Sequence, residues 1–196
     1  MNDRSWTILR SATDYRRMPW KNGGGETVEI TVFPEGATVS DFDWRISMAT
    51  VASDGPFSSF PGIDRTLSIL EGEGMVLDIA DRTVRLTGDD APLPFPADVA
   101  TAARLIAGAI TDLNVMTKRS AFSHRVRKIT ISGEQRLSSD ADRLLVFCHR
   151  GDVALRADGL DVKLSALDMA AAPTQGPVEL TCEGEAQLFL IEISNA

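Results

Sequence analysis

Gly72-Glu73-Gly74-Met75-Val76-Leu77-Asp78-Ile79-Ala80-Asp81-Arg82-Thr83-Val84-Arg85-Leu86 is a short strand, a tight polar turn and a second short strand. The texture returns 79 residues later in Gly151-Asp152-Val153-Ala154-Leu155-Arg156-Ala157 through Val162-Lys163-Leu164. At the same offset Gly72 falls on Gly151, Asp89 on Asp168 and Pro94 on Pro173, so turn markers and strands repeat together. Elsewhere the pattern also has a period of two. Val28, Ile30 and Val32 alternate with polar neighbours, as do Phe42, Trp44, Ile46 and Met48, and Leu113 with Val115. Glycine and proline interrupt these runs at short intervals, as an all-β sandwich or barrel requires. Ala12 to Arg17 and Asp98 to Arg104 are expected to hold a helical turn or two. The polar break Thr117-Lys118-Arg119-Ser120 divides the repeat, giving a first lobe over 1–118 with the N-terminal segment and a second over 119–196.

Hydrophobic residues make up 43% of the 196, enough to bury a sizeable core. Acids outnumber bases 28 to 20, which argues against nucleic acid and against an anionic membrane surface as partners. A small anion held by a few local cations is compatible with that balance. No apolar run approaches the roughly 20 residues that span a bilayer, and Met1 to Trp6 has no signal-peptide pattern. Cys148 and Cys182 lie in apolar, strand-like runs and are expected to be buried reduced thiols, so the expected compartment is the cytoplasm.

The spacing of Gly72, Gly88-Asp89 and Pro94 resembles the two motifs of cupins, small antiparallel barrels. In the first motif a glutamate lies seven residues before the glycine, and that place is Arg65 here. The histidine places fall near Ser58 and Phe60, and the histidine of the second motif falls on Val99. The resemblance therefore implies a cupin whose metal ligands are all substituted. Arg65 puts a permanent cation where a carboxylate would sit, and a guanidinium suits the two oxygens of a carboxylate. By spacing alone Arg65 is equally compatible with a solvent-facing edge, paired to Asp64 or Glu71.

Other segments carry chemistry more weakly. Met18-Pro19-Trp20-Lys21-Asn22-Gly23-Gly24-Gly25 lacks the lysine and hydroxyl of a phosphate-binding loop, and by local chemistry it is a hairpin. Arg45 and Ser47 share one strand face, and Asp112 and Asn114 share another. Each pair either faces water or looks into a lumen, where polar groups must bind one another or a ligand. His124 stands in a cationic run that reads as a solvated edge. His149 follows Cys148 directly, so the two side chains point to opposite faces and make a poor nucleophilic pair.

Met18 to Gly25, Trp44-Arg45-Ile46-Ser47, Gly55-Pro56-Phe57-Ser58, Phe60-Pro61-Gly62-Ile63-Asp64-Arg65 and Asp112-Leu113-Asn114-Val115-Met116 together resemble the HutD/Ves family of bacterial proteins. The resemblance implies a bicupin, two antiparallel jelly-roll barrels in one chain, with no metal or other cofactor. It also implies a link to histidine utilisation through a pathway acid such as urocanate or N-formylglutamate. In that light Trp20, Lys21, Asn22, Arg45, Ser47, Ser58, Phe60, Arg65, Asp112 and Asn114 become a ligand-binding set. Arg65 clamps a carboxylate with Arg45 or Lys21 in support, Ser58 and Asn114 donate hydrogen bonds, and Trp20 and Phe60 form an apolar wall. The second lobe carries no comparable polar set. The leading expectation is a non-catalytic sensor of a small organic anion, and a homodimer is compatible with it. The alternatives are a metal-independent isomerase or hydrolase with Asp112 as general base, and an interaction scaffold.

Overall fold

The structure, a computed structural model, describes residues 5–20, 25–173 and 176–196. Its regular elements among the described residues are all strands: β1 (Thr7–Leu9), β2 (Arg16–Pro19), β3 (Gly25–Phe33), β4 (Trp44–Val51), β5 (Gly55–Pro56), β6 (Ile63–Glu71), β7 (Met75–Ile79), β8 (Arg82–Leu86), β9 (Leu93–Pro96), β10 (Thr101–Leu105), β11 (Ile110–Lys118), β12 (Phe122–Ser139), β13 (Arg143–Ala157), β14 (Leu160–Leu164), β15 (Met169–Ala171) and β16 (Val178–Asn195). No helix is long and apolar enough to cross a membrane among these residues. Near Ala12 there is a single hydrogen-bonded turn, in which the Thr13 and Asp14 N–H groups donate to the Arg10 carbonyl, and it does not extend into a helix; no helix forms near Asp98. Arg16 enters β2, and Thr101-Ala102-Ala103-Arg104-Leu105 is β10, hydrogen-bonded to β7 on one side and β5 on the other. Alanine, arginine and leucine favour a helix locally, but two flanking ladders override so weak a preference.

The chain forms two compact units, Arg16–Ser123 with Ala196, and Met1–Tyr15 with His124–Asn195. Against lobes of 1–118 and 119–196, the first residues group with the C-terminal unit, because β1 pairs with β15. In the Arg16–Ser123 unit, one sheet runs β2-β3-β4-β11-β6-β9 and a second runs β5-β10-β7-β8. Ala49, Leu67 and Ile69 from the first meet Met75, Leu77, Ile79 and Ala103 from the second in one buried cluster, so the unit is a β-sandwich. In the other unit the sheet runs β1-β15-β13-β16-β12, with β14 also on β13. Strand β13 has a bulge between Cys148 and Arg150. Leu144, Val146 and Cys148 before it and Val153, Leu155 and Ala157 after it enter a single core. None of these sheets closes into a ring among the described residues, so the expected barrels take the form of open layers.

The repeat is present in the backbone. The order β4-β11-β6-β9 in one unit matches β12-β16-β13-β15 in the other. Gly72 has φ +87°, and a Cβ there would lie 2.6 Å from the Ala109 carbonyl oxygen; Gly151 has φ +77°, and its Cβ would lie 2.0 Å from that of Glu185. In both places the glycine lets a turning strand press against its partner's backbone. The hairpins that follow carry Ala80 and Asp158, both with φ 51°.

Candidate functional site

Strand β11 lies between β4 and β6 and sets the register. Asp112 pairs with Ala49 and Ile69, Asn114 with Ser47 and Leu67, and Met116 with Arg45 and Arg65. Paired residues share a face of a sheet. Ala49, Leu67 and Ile69 belong to the core between the two layers, so the polar residues on that face point inward with them. The question left open by alternation is thereby resolved: Arg45, Ser47, Arg65, Asp112 and Asn114 are 6%, 2%, 6%, 1% and 9% exposed. Trp44, Ile46, Leu113 and Val115, on the opposite face, are buried too.

The polar chains divide unequally. Arg45 Nε donates to Glu29 Oε2 at 2.6 Å, a closed ion pair, and its Nη1 lies 3.5 Å from Ser47 Oγ. Asn114 Nδ2 donates to Asp112 Oδ1 at 2.6 Å. Among the described residues the Arg65 side chain has no ion-pair or hydrogen-bond partner, and its buried Nε has no acceptor. Its guanidinium carbon lies 5.2, 5.4 and 5.9 Å from the ring centres of Phe57, Phe60 and Phe95. Ring faces attract a cation but accept no N–H in the plane of the fork, so the donors remain available.

Burial lowers the Arg65 pKa to about 10, with the Arg45 charge acting in the same direction and Asp112 opposing it. Arg65 is therefore still a cation at neutral pH. Burial raises the Asp112 carboxyl to about 7, held back by Arg65, by the Asn114 amide and by the Ala49 backbone N–H. The inner face thus holds a neutralised pair, Glu29 and Arg45, beside an unpaired cation and a carboxyl poised near neutrality.

The other expected site residues are placed less uniformly. Phe60 packs under Arg65 and against Phe42. Trp20 is half-buried against the sandwich core, and its indole N–H donates to Thr27 Oγ1 at 2.8 Å. Ser58 is exposed and is not brought to the inner face. Lys21 and Asn22 lie outside the described residues. Gly25, the last of the three glycines, has a structural reason: a Cβ there would sit 2.0 Å from the Thr50 carbonyl oxygen.

The sequence reading missed Glu29, Phe57 and Phe95. A carboxylate between Val28 and Ile30 in a strand with a partly buried second face was the available signal for Glu29. Nothing in the sequence pairs Phe95 with Arg65, which is a register contact between β9 and β6. Asp64, offered as a surface partner for Arg65, instead binds Arg119 together with Asp98.

Cys148 is buried, its thiol pushed up to about 12 by desolvation, and the His149 ring bonds Gln187 at 2.8 Å. The two do not form a reactive pair. The cupin metal does not fit the residues present. A guanidinium occupies the inner face, and no group of three or more His, Cys, Asp or Glu side chains able to hold an ion occurs among the described residues.

The family model described as HutD matches residues 12–190. The chain belongs to the HutD family. It is 35% identical over 190 residues to Protein Ves of Citrobacter koseri, covering 92% of each chain. It is 35% identical over 155 residues to an uncharacterized 21.2 kDa protein in the hutC 3' region of Pseudomonas putida, covering 79% of this chain and 80% of that one. Among solved structures, HutD from Pseudomonas fluorescens SBW25, in a formate condition, is 33% identical with a TM-score of 0.82, covering 98% of this chain and 100% of that one. A cupin 2 conserved barrel domain protein from Leptotrichia buccalis shares the fold at 13% identity, with a TM-score of 0.58 over 87% of this chain and 89% of that one.

Proposed function

We propose that this HutD-family chain binds a small organic carboxylate on the inner face of its Arg16–Ser123 unit and acts as a sensor, without catalysis, in the control of histidine utilisation. The observation that carries the reading is Arg65: a buried guanidinium whose Nε has no acceptor among the described residues, set among three phenylalanine rings. A buried cation left unpaired is costly, and a ligand carboxylate relieves the cost with a planar two-point contact. Asn114 and Ser47 lie on the same face to orient the rest of the ligand, and Phe57 and Phe60 supply its apolar wall. We read the duplicated strand order as that of a bicupin whose first lobe has exchanged a cation site for an anion site. The link to histidine breakdown is supported by the relative in the hutC 3' region, and a small-acid ligand fits the HutD solved in a formate condition.

Titration calorimetry with formate, urocanate and N-formylglutamate tests the reading. A hydrogen bond to a charged group is worth about 1.5–3 kcal/mol, so Arg65→Ala should weaken binding by roughly 10- to 150-fold. Arg65→Lys should restore only part of it, because an ammonium lacks the planar fork. The bound acid should be recovered unchanged. Equal affinity in wild type and Arg65→Ala refutes the clamp, and turnover of the acid favours the metal-independent enzyme with Asp112 as base.

A further inference from the structure

The charges on the inner face carry a second consequence, which rests on the carboxylate reading above. Glu29 and Arg45 neutralise each other at 2.6 Å. Among the described residues of this face, Arg65 and Asp112 are the two ionisable groups left. The polar groups on the face of Asp112 are Asn114 on β11, Arg45 and Ser47 on β4, Glu29 on β3 and Arg65 on β6. The layer β5-β10-β7-β8 presents Met75, Leu77, Ile79, Leu86 and Ala103 to this core together with Thr101, whose hydroxyl does not ionise, and β9 presents Phe95. Arg65 is thus the only unpaired cation among the described residues that serves Asp112.

We infer that Asp112 is a specificity-determining residue that takes up one proton when a carboxylate occupies Arg65, so that the site binds its anion together with a proton. The charges of this face favour it: Arg65 and Asp112 share the face four register positions apart along β11, no ion pair joins them, and Arg65 acts on Asp112 through space. A ligand carboxylate on the guanidinium removes the counter-charge of Asp112 and sets a second anion on the same enclosed face. Two carboxylates sharing one cation in a dry site hold a proton between them. The proton comes from solvent to an Asp112 oxygen, and no other bond changes. The resulting O–H, which only the protonated acid possesses, can donate to an acceptor on the ligand. Asn114, which donates to Asp112 Oδ1, favours Oδ2 as the protonated oxygen. Burial, which raises the Asp112 carboxyl to about 7, agrees with this placement.

The probe is formate, titrated into the full chain at pH 6 and pH 8 in HEPES and in Tris, whose ionisation heats differ. At pH 8 the apparent enthalpies should differ between buffers by an amount that approaches one proton taken up per formate bound; at pH 6 they should nearly coincide. Affinity should fall by about tenfold from pH 6 to pH 8, the change expected for a group that titrates near 7 and must be protonated in the complex. Asp112→Asn should bind formate with no buffer dependence and the same affinity at both pH values. The wild-type measurement stands alone if that variant does not fold. Formate binding to wild type with buffer-independent enthalpy at pH 8 overturns the inference and leaves the clamp intact. Proton uptake that persists in Asp112→Asn also overturns it. Failure of wild type to bind formate, urocanate or N-formylglutamate overturns the carboxylate reading, and the coupling falls with it.

Discussion

Replacing Asp112 with asparagine should remove a pH dependence of stability that the wild type carries. The carboxyl is 1% exposed, and burial raises its pKa from 3.8 to about 7. Between those values the folded chain holds a proton that the unfolded chain has released, so stability falls as pH rises from about 4 and the loss is complete above about 7. At about 1.36 kcal/mol per pKa unit the whole effect amounts to about 4 kcal/mol, of which about 3 kcal/mol falls between pH 5 and pH 8. Asparagine keeps the shape and an acceptor for the Asn114 amide but does not titrate. Urea melts of wild type and Asp112→Asn at pH 5, 6, 7 and 8, free of small carboxylates, isolate the contribution, because other titrating groups cancel in the difference. The variant should gain on wild type as pH rises. Parallel stability curves would refute the placement of Asp112 as a buried acid held near neutrality.

Glu29→Gln leaves Arg45 buried without its counter-charge and should cost about 3–5 kcal/mol in chemical denaturation, the usual penalty for breaking a buried pair. Gly151→Ala combines positive φ with a Cβ 2.0 Å from the Glu185 carbonyl oxygen, whereas Gly133, at φ +77°, has open space around its Cβ. Gly133→Ala should therefore cost only the conformational strain, about 1–2 kcal/mol, and Gly151→Ala clearly more, as measured by their melting temperatures. Gly25→Ala should destabilise by about 1–3 kcal/mol through collision with Thr50, which a melt compared with Gly55→Ala, at an open position without positive φ, would show.

Much of the architecture is legible from local pattern. Alternation at Val28 to Val32, Trp44 to Met48 and Asp112 to Met116 marks strands because side chains on a pleated backbone change face at every residue. The 79-residue repeat is visible because a glycine is needed wherever a strand must turn against its partner's backbone, as at Gly72 and Gly151. Arg65 stands out because its place in the spacing calls for the opposite charge. Tertiary structure decided the rest. Alternation says that Arg45 and Ser47 share a face but not which face is inside; the register of β11 against β4 and β6, and the layer of β5, β10, β7 and β8 beneath, put them in the core. Thr101 to Leu105 is a strand because two ladders hold it, a long-range term absent from its own composition. Whether Arg65 is paired depends on where Asp64, Glu29 and Asp112 point, and those directions are set by partners distant in the chain. Sequence determined which residue types alternate and repeat, because these are local and periodic. Which charges meet, and which cation stays unmatched, was decided only when the sheets folded over one another, because burial and charge pairing are properties of contacts far apart along the chain.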